Sequence, residues 1–134
     1  MWQVDFLPIR EVDYLPMARG PDSERLKLVQ GTLDMLILNV LCWGRAHGHG
    51  IATTIKRQSG HELLVDHGSL YPALQRLEER GWVEAEWGLS ETGRECRFYK
   101  ITAGGRGHLA RETSKWRRAT AAISRLLKPQ PERA

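Results

Sequence analysis

Cysteine is scarce in this chain: Cys42 and Cys96 are the only two in 134 residues. With Cys42 set in an apolar run, a pair so far apart excludes a disulfide-stapled scaffold and reads as two free thiols in a reducing compartment, the cytoplasm. Long apolar runs are also missing. The greasiest stretch, LDMLILNVLCW from Leu33 to Trp43, carries Asp34 and Asn39 and falls well short of the roughly 20 residues that a membrane span needs. It reads as a core helix, and no membrane partner is expected. Phosphate-binding glycine motifs are absent, since the GGRG at Gly104 matches neither GxGxxG nor GxxxxGK[ST]. No GxSxG elbow is present, nor any serine set in a recognisable nucleophile motif with a histidine and an acid. The chain therefore offers no support for an enzyme, and no cofactor is expected.

Histidine is present but poorly spaced for metal. His47, His49, His61 and His67, with Cys42, include one HxH pair and no second cluster of ligand spacing. Glycines around His47 and His49 account for that stretch as turn chemistry, so no metal site is assigned. The net charge of +4 and pI near 9.4 lean toward polyanionic partners. Sixteen acidic residues against twenty basic ones make the placement of charge more informative than its sum.

Residues 1–27 read as an irregular N-terminal arm with prolines and mixed charge, lacking the basic start and uninterrupted apolar block of a signal peptide. Met17 followed by ARGPDSERLKLVQG makes a natural beginning, so residues 1–16 are expected to be a start-site extension. From there the chain divides into a DNA-binding unit over 28–102, a dimerisation helix over 103–128 and a disordered tail over 129–134. A first helix is expected from an N-cap at Thr32 to about Trp43. It is apolar nearly all round, with Met35, Leu38 and Cys42 outside its main face, which calls for cover from a second subunit or an appended helix. A second short helix runs from about Gly50 to Ser59-Gly60.

The stretch DHGSLYPALQRLEERGWV, Asp66 to Val83, is the most informative. Leu70, Leu74 and Leu77 with Ala73 form one stripe of a helix. Gly68, Pro72, Gln75 and Glu79 fall opposite, edged by Ser69, Arg76 and Tyr71. Asp66 is the expected N-cap and Gly81 the C′ residue, with Pro72 near the first turn. WVEAEW (82–87) and ECRFYKIT (95–102) alternate as two strands, joined by a loop, GLSETGR, too long for a tight turn. Thr102 should cap a long last helix that Pro129 stops. Its Leu109, Thr113, Trp116, Thr120, Ile123 and Leu127 alternate spacings of four and three, as along a helix–helix seam. Gly104, Gly105 and Gly107 should loosen its start into a hinge.

Three helices followed by a ribbon give a mainly α winged helix-turn-helix with a small β-hairpin and a long C-terminal dimerisation helix. In that arrangement the third helix enters the DNA major groove. Gln75 suits adenine, Arg76 guanine or a phosphate, and Ser69 and Tyr71 phosphate oxygens, while Pro72 permits close approach. Lys56, Arg94, Arg97 and Lys100 surround this surface and should contact phosphates. Trp116, in mid-seam, is a packing residue that two subunits could also set around a small aromatic effector. A winged-helix protein-interaction module and a metal-responsive regulator are the alternative readings.

The segments LVQGTLDMLILNVL (Leu28 to Leu41), AHGHGI (Ala46 to Ile51), DHGSLYPALQRLEERGWVEAEWG (Asp66 to Gly88) and RFYKITAGGR (Arg97 to Arg106) resemble the PadR family of bacterial transcriptional regulators. The wing sequence and short tail are similar to its acidobacterial branch. The resemblance covers residues 28–127. It implies a homodimer of winged helices with interlocked last helices, binding double-stranded DNA at a palindromic operator. Repression, relieved in some members by phenolic or other small ligands, is the implied activity. His49 stands where the family more often has tyrosine, and Glu95 and Cys96 replace residues that are often basic.

Overall fold

The computed structural model describes residues 26–27 and 30–129. The expectations for residues 1–25 and for the end of the tail lie outside them, while Leu26–Lys27, expected to belong to the irregular arm, form a short strand. Element order is β1 (Leu26–Lys27), α1 (Gln30–Leu41), β2 (Ala46–His47), α2 (Gly48–Gln58), β3 (Leu63–Leu64), α3 (His67–Glu79), β4 (Val83–Leu89), β5 (Glu95–Ile101) and α4 (Ala103–Leu127). This is a winged helix-turn-helix with a long C-terminal helix.

α1 is the central helix. Ile37, Leu38 and Leu41 are almost wholly inaccessible, and Leu33, Met35 and Val40 are buried with them. Leu38 thus finds its cover inside a single chain, and of the two covers that the all-round apolarity of α1 called for, a second subunit or an appended helix, α4 is the one found packed against it. The helix begins at Gln30 rather than at a Thr32 cap. Ile51 and Ile55 of α2 and the Leu70, Ala73, Leu74, Leu77 stripe of α3 pack into the same core, closed by Val83, Tyr99 and Ile101 of the sheet.

Caps define the helix ends. The His47 ring accepts from the Gly50 N–H at 3.0 Å, starting α2 two residues earlier than expected. Asp66 accepts from the Ser69 N–H at 2.8 Å, as its position before α3 predicts. α3 then ends in a Schellman turn: the Gly81 N–H donates to Glu78 and the Trp82 N–H to Leu77, with Gly81 at φ +75°. α2 ends the same way over Gly60 and His61, both at φ +66°. Pro72 lies a turn deeper than expected, as the sixth residue of α3. Its missing donor faces the Gly68 carbonyl one turn back, on the exposed side of the helix.

The wing pairs β4 with β5 in antiparallel register from Val83↔Ile101 to Leu89↔Glu95, leaving a loop of Ser90 to Arg94. The ladder therefore runs further into GLSETGR than alternation alone indicated. The Ser90 N–H donates to the Arg94 carbonyl and Gly93 takes φ +83° to close the loop. β2 adds a third, antiparallel strand through Ala46↔Tyr99 and His47↔Phe98, and β1 pairs in parallel with β3. Neither two-residue pairing carries a periodic signal in the sequence.

Thr102 caps α4, accepting from the Gly105 N–H at 3.0 Å. The expected hinge is corrected here: Gly105 is buried, and a Cβ there would collide with the Trp82 carbonyl oxygen and lie 2.8 Å from Ile101 Cγ1. Glycine permits close packing at this point rather than bending. Gly105→Ala is expected to destabilise the fold by about 1–3 kcal/mol through overpacking, read as a lowered midpoint in thermal or urea unfolding.

Candidate nucleic-acid interface

The buried leucine stripe fixes the rotation of α3, because Leu70, Leu74 and Leu77 all have no accessible surface. Ser69, Tyr71, Pro72, Gln75 and Glu79 are consequently exposed. Gln75 Nε2 donates to Glu79 Oε2 at 3.3 Å, a one-turn contact that holds the amide along the helix front. Tyr71 is half exposed. Its ring and hydroxyl sit over Gly48, where a Cβ would come within 2.8 Å. The tyrosine is therefore seated on the first residue of α2 and held at the edge of the front.

Arg76 behaves differently from the outward-reaching residue expected. It lies on the edge of α3 beside Ala73, and that edge faces α1. Its Nη2 donates to Asp34 Oδ1 at 2.9 Å, with both side chains largely covered. Burial pushes the Asp34 carboxyl above its ordinary value, opposed by the hydrogen bond and charge of Arg76. The pair clamps α3 to α1 from one side. Sequence reasoning missed it because Asp34 looked like an incidental polar residue in a greasy helix.

The wing's cations are unequal too. Arg97 shares the inward face with Tyr99 and is bonded to Glu78 of α3 at 3.1 Å, its guanidinium 5.9 Å from the Tyr99 ring. Lys100 projects from the other face, opposite Glu84. Arg94 stands exposed in the wing loop, while Lys56 and Arg57 occupy the last turn of α2. Arg45, overlooked as part of a glycine turn, lies 4.4 Å from the Phe98 ring and is ion-paired with Glu86.

Between the start of α2, the start of α3 and the wing runs an open groove of about 620 Å³, lined among others by His49, Tyr71, Glu91, Arg94 and Arg97. His47 and His49 line its helix side with rings 6.4 Å apart, and His49 is followed outside the groove by His67 at 6.5 Å, which in turn lies 5.7 Å from Tyr71. Among the described residues no group of three or more histidine, cysteine or acidic side chains is placed to hold a metal. No helix among them is long and apolar enough to cross a membrane.

The seam residues of α4 divide along its length. Leu109 packs against the core and Thr113 is half buried, whereas Trp116 (48% exposed), Thr120, Ile123 (54%) and Leu127 (77%) are open. An apolar row of this kind has no partner within the described chain.

Removing Arg76 would strand the covered Asp34 carboxylate. Arg76→Ala is expected to cost about 1.5–3 kcal/mol of unfolding free energy, the range for a hydrogen bond to a charged group, measured by urea denaturation. Adding Asp34→Asn should recover part of that loss.

The arrangement has close structural parallels. A transcriptional regulator from Clostridium thermocellum superimposes with TM-score 0.68 at 26% identity, covering 74% of this chain and 96% of that one. A PadR family transcriptional regulator from Eggerthella lenta gives TM-score 0.63 at 26% identity, over 75% and 86% of the two chains. In sequence, the chain is 39% identical over 90 residues to an uncharacterised 37.1 kDa protein from a Streptomyces fradiae transposon; the match covers 67% of this chain but only 24% of that protein. The profile of the transcriptional regulator PadR-like family matches residues 37–111, more than half of the chain and the span from the second half of α1 through α2, α3 and the wing to the start of α4. The chain belongs to the PadR-like family of transcriptional regulators.

Proposed function

We propose that the protein is a dimeric, sequence-specific DNA-binding repressor of the cytoplasm that acts on a palindromic operator. The observation that carries this reading is the exposed front of α3, with Ser69, Tyr71, Pro72 and Gln75 displayed beside a groove and a wing while the back of the helix is locked in the core. Gln75 is the base-reading residue in this scheme. Ser69 and Tyr71 meet phosphate oxygens, and Pro72 lets the helix approach closely. Arg94, Lys100 and Lys56 hold the DNA backbone. Arg97 supports the wing through Glu78 and reaches phosphate only by leaving that pair, and Arg76 serves as a clamp behind the reading surface.

The second reading helix comes from a second copy. Trp116, Ile123 and Leu127 on the open row of α4 supply the apolar contact, with Leu109, Thr113 and Thr120 completing the seam. One helix contacts too few base pairs to specify a genomic site, so the dimer is the unit that reads an operator.

Titration of promoter DNA from beside the protein's own gene should give log K falling linearly with log salt, by about 0.9 for each phosphate neutralised, with preference for one palindrome. Gln75→Ala should weaken that site by about 1–3 kcal/mol and relax preference at one base position, whereas Lys100→Ala should weaken all sequences alike and reduce the slope by about 1. Salt-independent binding, or no preference over bulk DNA, would sink the reading.

Relief by a small planar aromatic effector between the two copies of Trp116 completes the scheme. In a variant retaining tryptophan only at position 116, saturating aromatic ligand should change the fluorescence. An unaltered spectrum would remove Trp116 from the effector site.

A further inference from the structure

α4 leaves the winged domain by gripping the turn between α3 and β4. Thr102 donates its hydroxyl to the Gly81 carbonyl at 2.7 Å and its backbone N–H to the Trp82 carbonyl at 3.0 Å. Gly105 lies against that same Trp82 carbonyl with no room for a methyl group. One turn along, the His108 imidazole lies flat on the Trp82 indole, ring centroids 3.5 Å apart and planes 11° from parallel. The Arg80 guanidinium, on the C-cap residue of α3, is 5.3 Å from the same indole. The end of the reading helix and the second turn of the long helix therefore hold one aromatic ring between them.

Geometry makes the angle at this junction matter. From Ala103 to Trp116 is about 20 Å of helix at 1.5 Å per residue, so a swing of about 10° at the joint displaces the middle of the seam by about 3.4 Å. That distance is one base-pair step. The hydrogen bonds at Thr102 fix where α4 begins but act only at its first turn. Leu109 rests on the core on one side, and the His108–Trp82 stack is the neighbouring contact that resists rotation about that start.

We propose that His108 is a positioning residue: by stacking on Trp82 it fixes the angle between α3 and α4, and hence the operator half-site spacing that the dimer accepts. This rests on the dimeric DNA-binding reading given above.

The test places one spin label per protomer at Gln75→Cys in a Cys42→Ala, Cys96→Ser background and measures the distance between the two labels by pulsed electron resonance. Without a further change the distribution should be narrow. His108→Ala should at least double its width, and His108→Phe, which keeps a flat ring on the indole, should restore it. In parallel, wild-type protein should favour its best operator spacer over one a base pair longer or shorter by tenfold or more. His108→Ala should reduce that ratio below threefold while leaving half-site binding unchanged, with recovery in His108→Phe. If His108→Ala does not fold by circular dichroism, Arg80→Ala tests the same grip from the α3 side and should broaden the distribution likewise. An unchanged width in the folded variant overturns the positioning role. A broadened width with an unchanged spacer ratio overturns its link to the operator. If wild-type protein binds no operator, the DNA reading and the spacing claim fail together, while the distance widths still decide whether His108 sets the angle. A labelled protein with His108 intact that shows no measurable inter-label distance refutes the dimer and the proposal with it.

Discussion

The back of α3 has one place to go. Four residues, Leu70, Ala73, Leu74 and Leu77, are completely withdrawn from water, and rotating the helix would expose leucines whose burial contributes about 1.5–3 kcal/mol each. Every feature of the reading surface follows from that single angular constraint. Gln75 faces outward because it stands across the helix from the leucines, Tyr71 lies on the edge beside α2, and Arg76 meets Asp34 because its edge is the one turned toward α1. Glycine marks the two places where backbone must come close to something else: Gly48 beneath the Tyr71 ring, and Gly105 against the Trp82 carbonyl.

Part of the positive charge around α3 and the wing is held in internal ties. Arg45, Arg76 and Arg97 are each paired with a carboxylate from another element. Those pairs join the turn before β2 to the wing, α3 to α1 and the wing to α3. The pair on α1 is the covered one, and losing one partner costs most there, since the charge left behind has little water to fall back on; the two around the wing are more exposed, and solvent screening leaves them weak. Among the described residues beside the reading surface, Arg94, Lys100 and the last turn of α2 carry positive charge outside these pairs, and they stand out for that reason.

The helices were legible because their signals are local. A 3.6-residue apolar period and polar caps at Asp66 and Thr102 place α3 and α4 closely, and Gly81 ends α3 with a positive φ that a side chain would resist. What the sequence concealed depends on partners distant in the chain. β2 is only two residues long and exists because Tyr99 and Phe98 lie beside it. Arg76 cannot be told from a groove-facing arginine until Asp34, 42 positions earlier, is seen opposite it. The glycines at the start of α4 read as looseness because a sequence shows a missing side chain but not the carbonyl that takes its place.

β2 gives the wing a second attachment. Ala46 and His47 form the outer strand of the wing sheet, and the same His47 ring caps the first turn of α2 through the Gly50 N–H. The turn that opens α2 and the ribbon are thus one mechanical body. A sideways load on the ribbon is passed directly to the amino end of α2 and, through Gly48, to the ring of Tyr71. The wing is therefore less a free finger than the handle of a lever whose short arm ends at the edge of the reading helix.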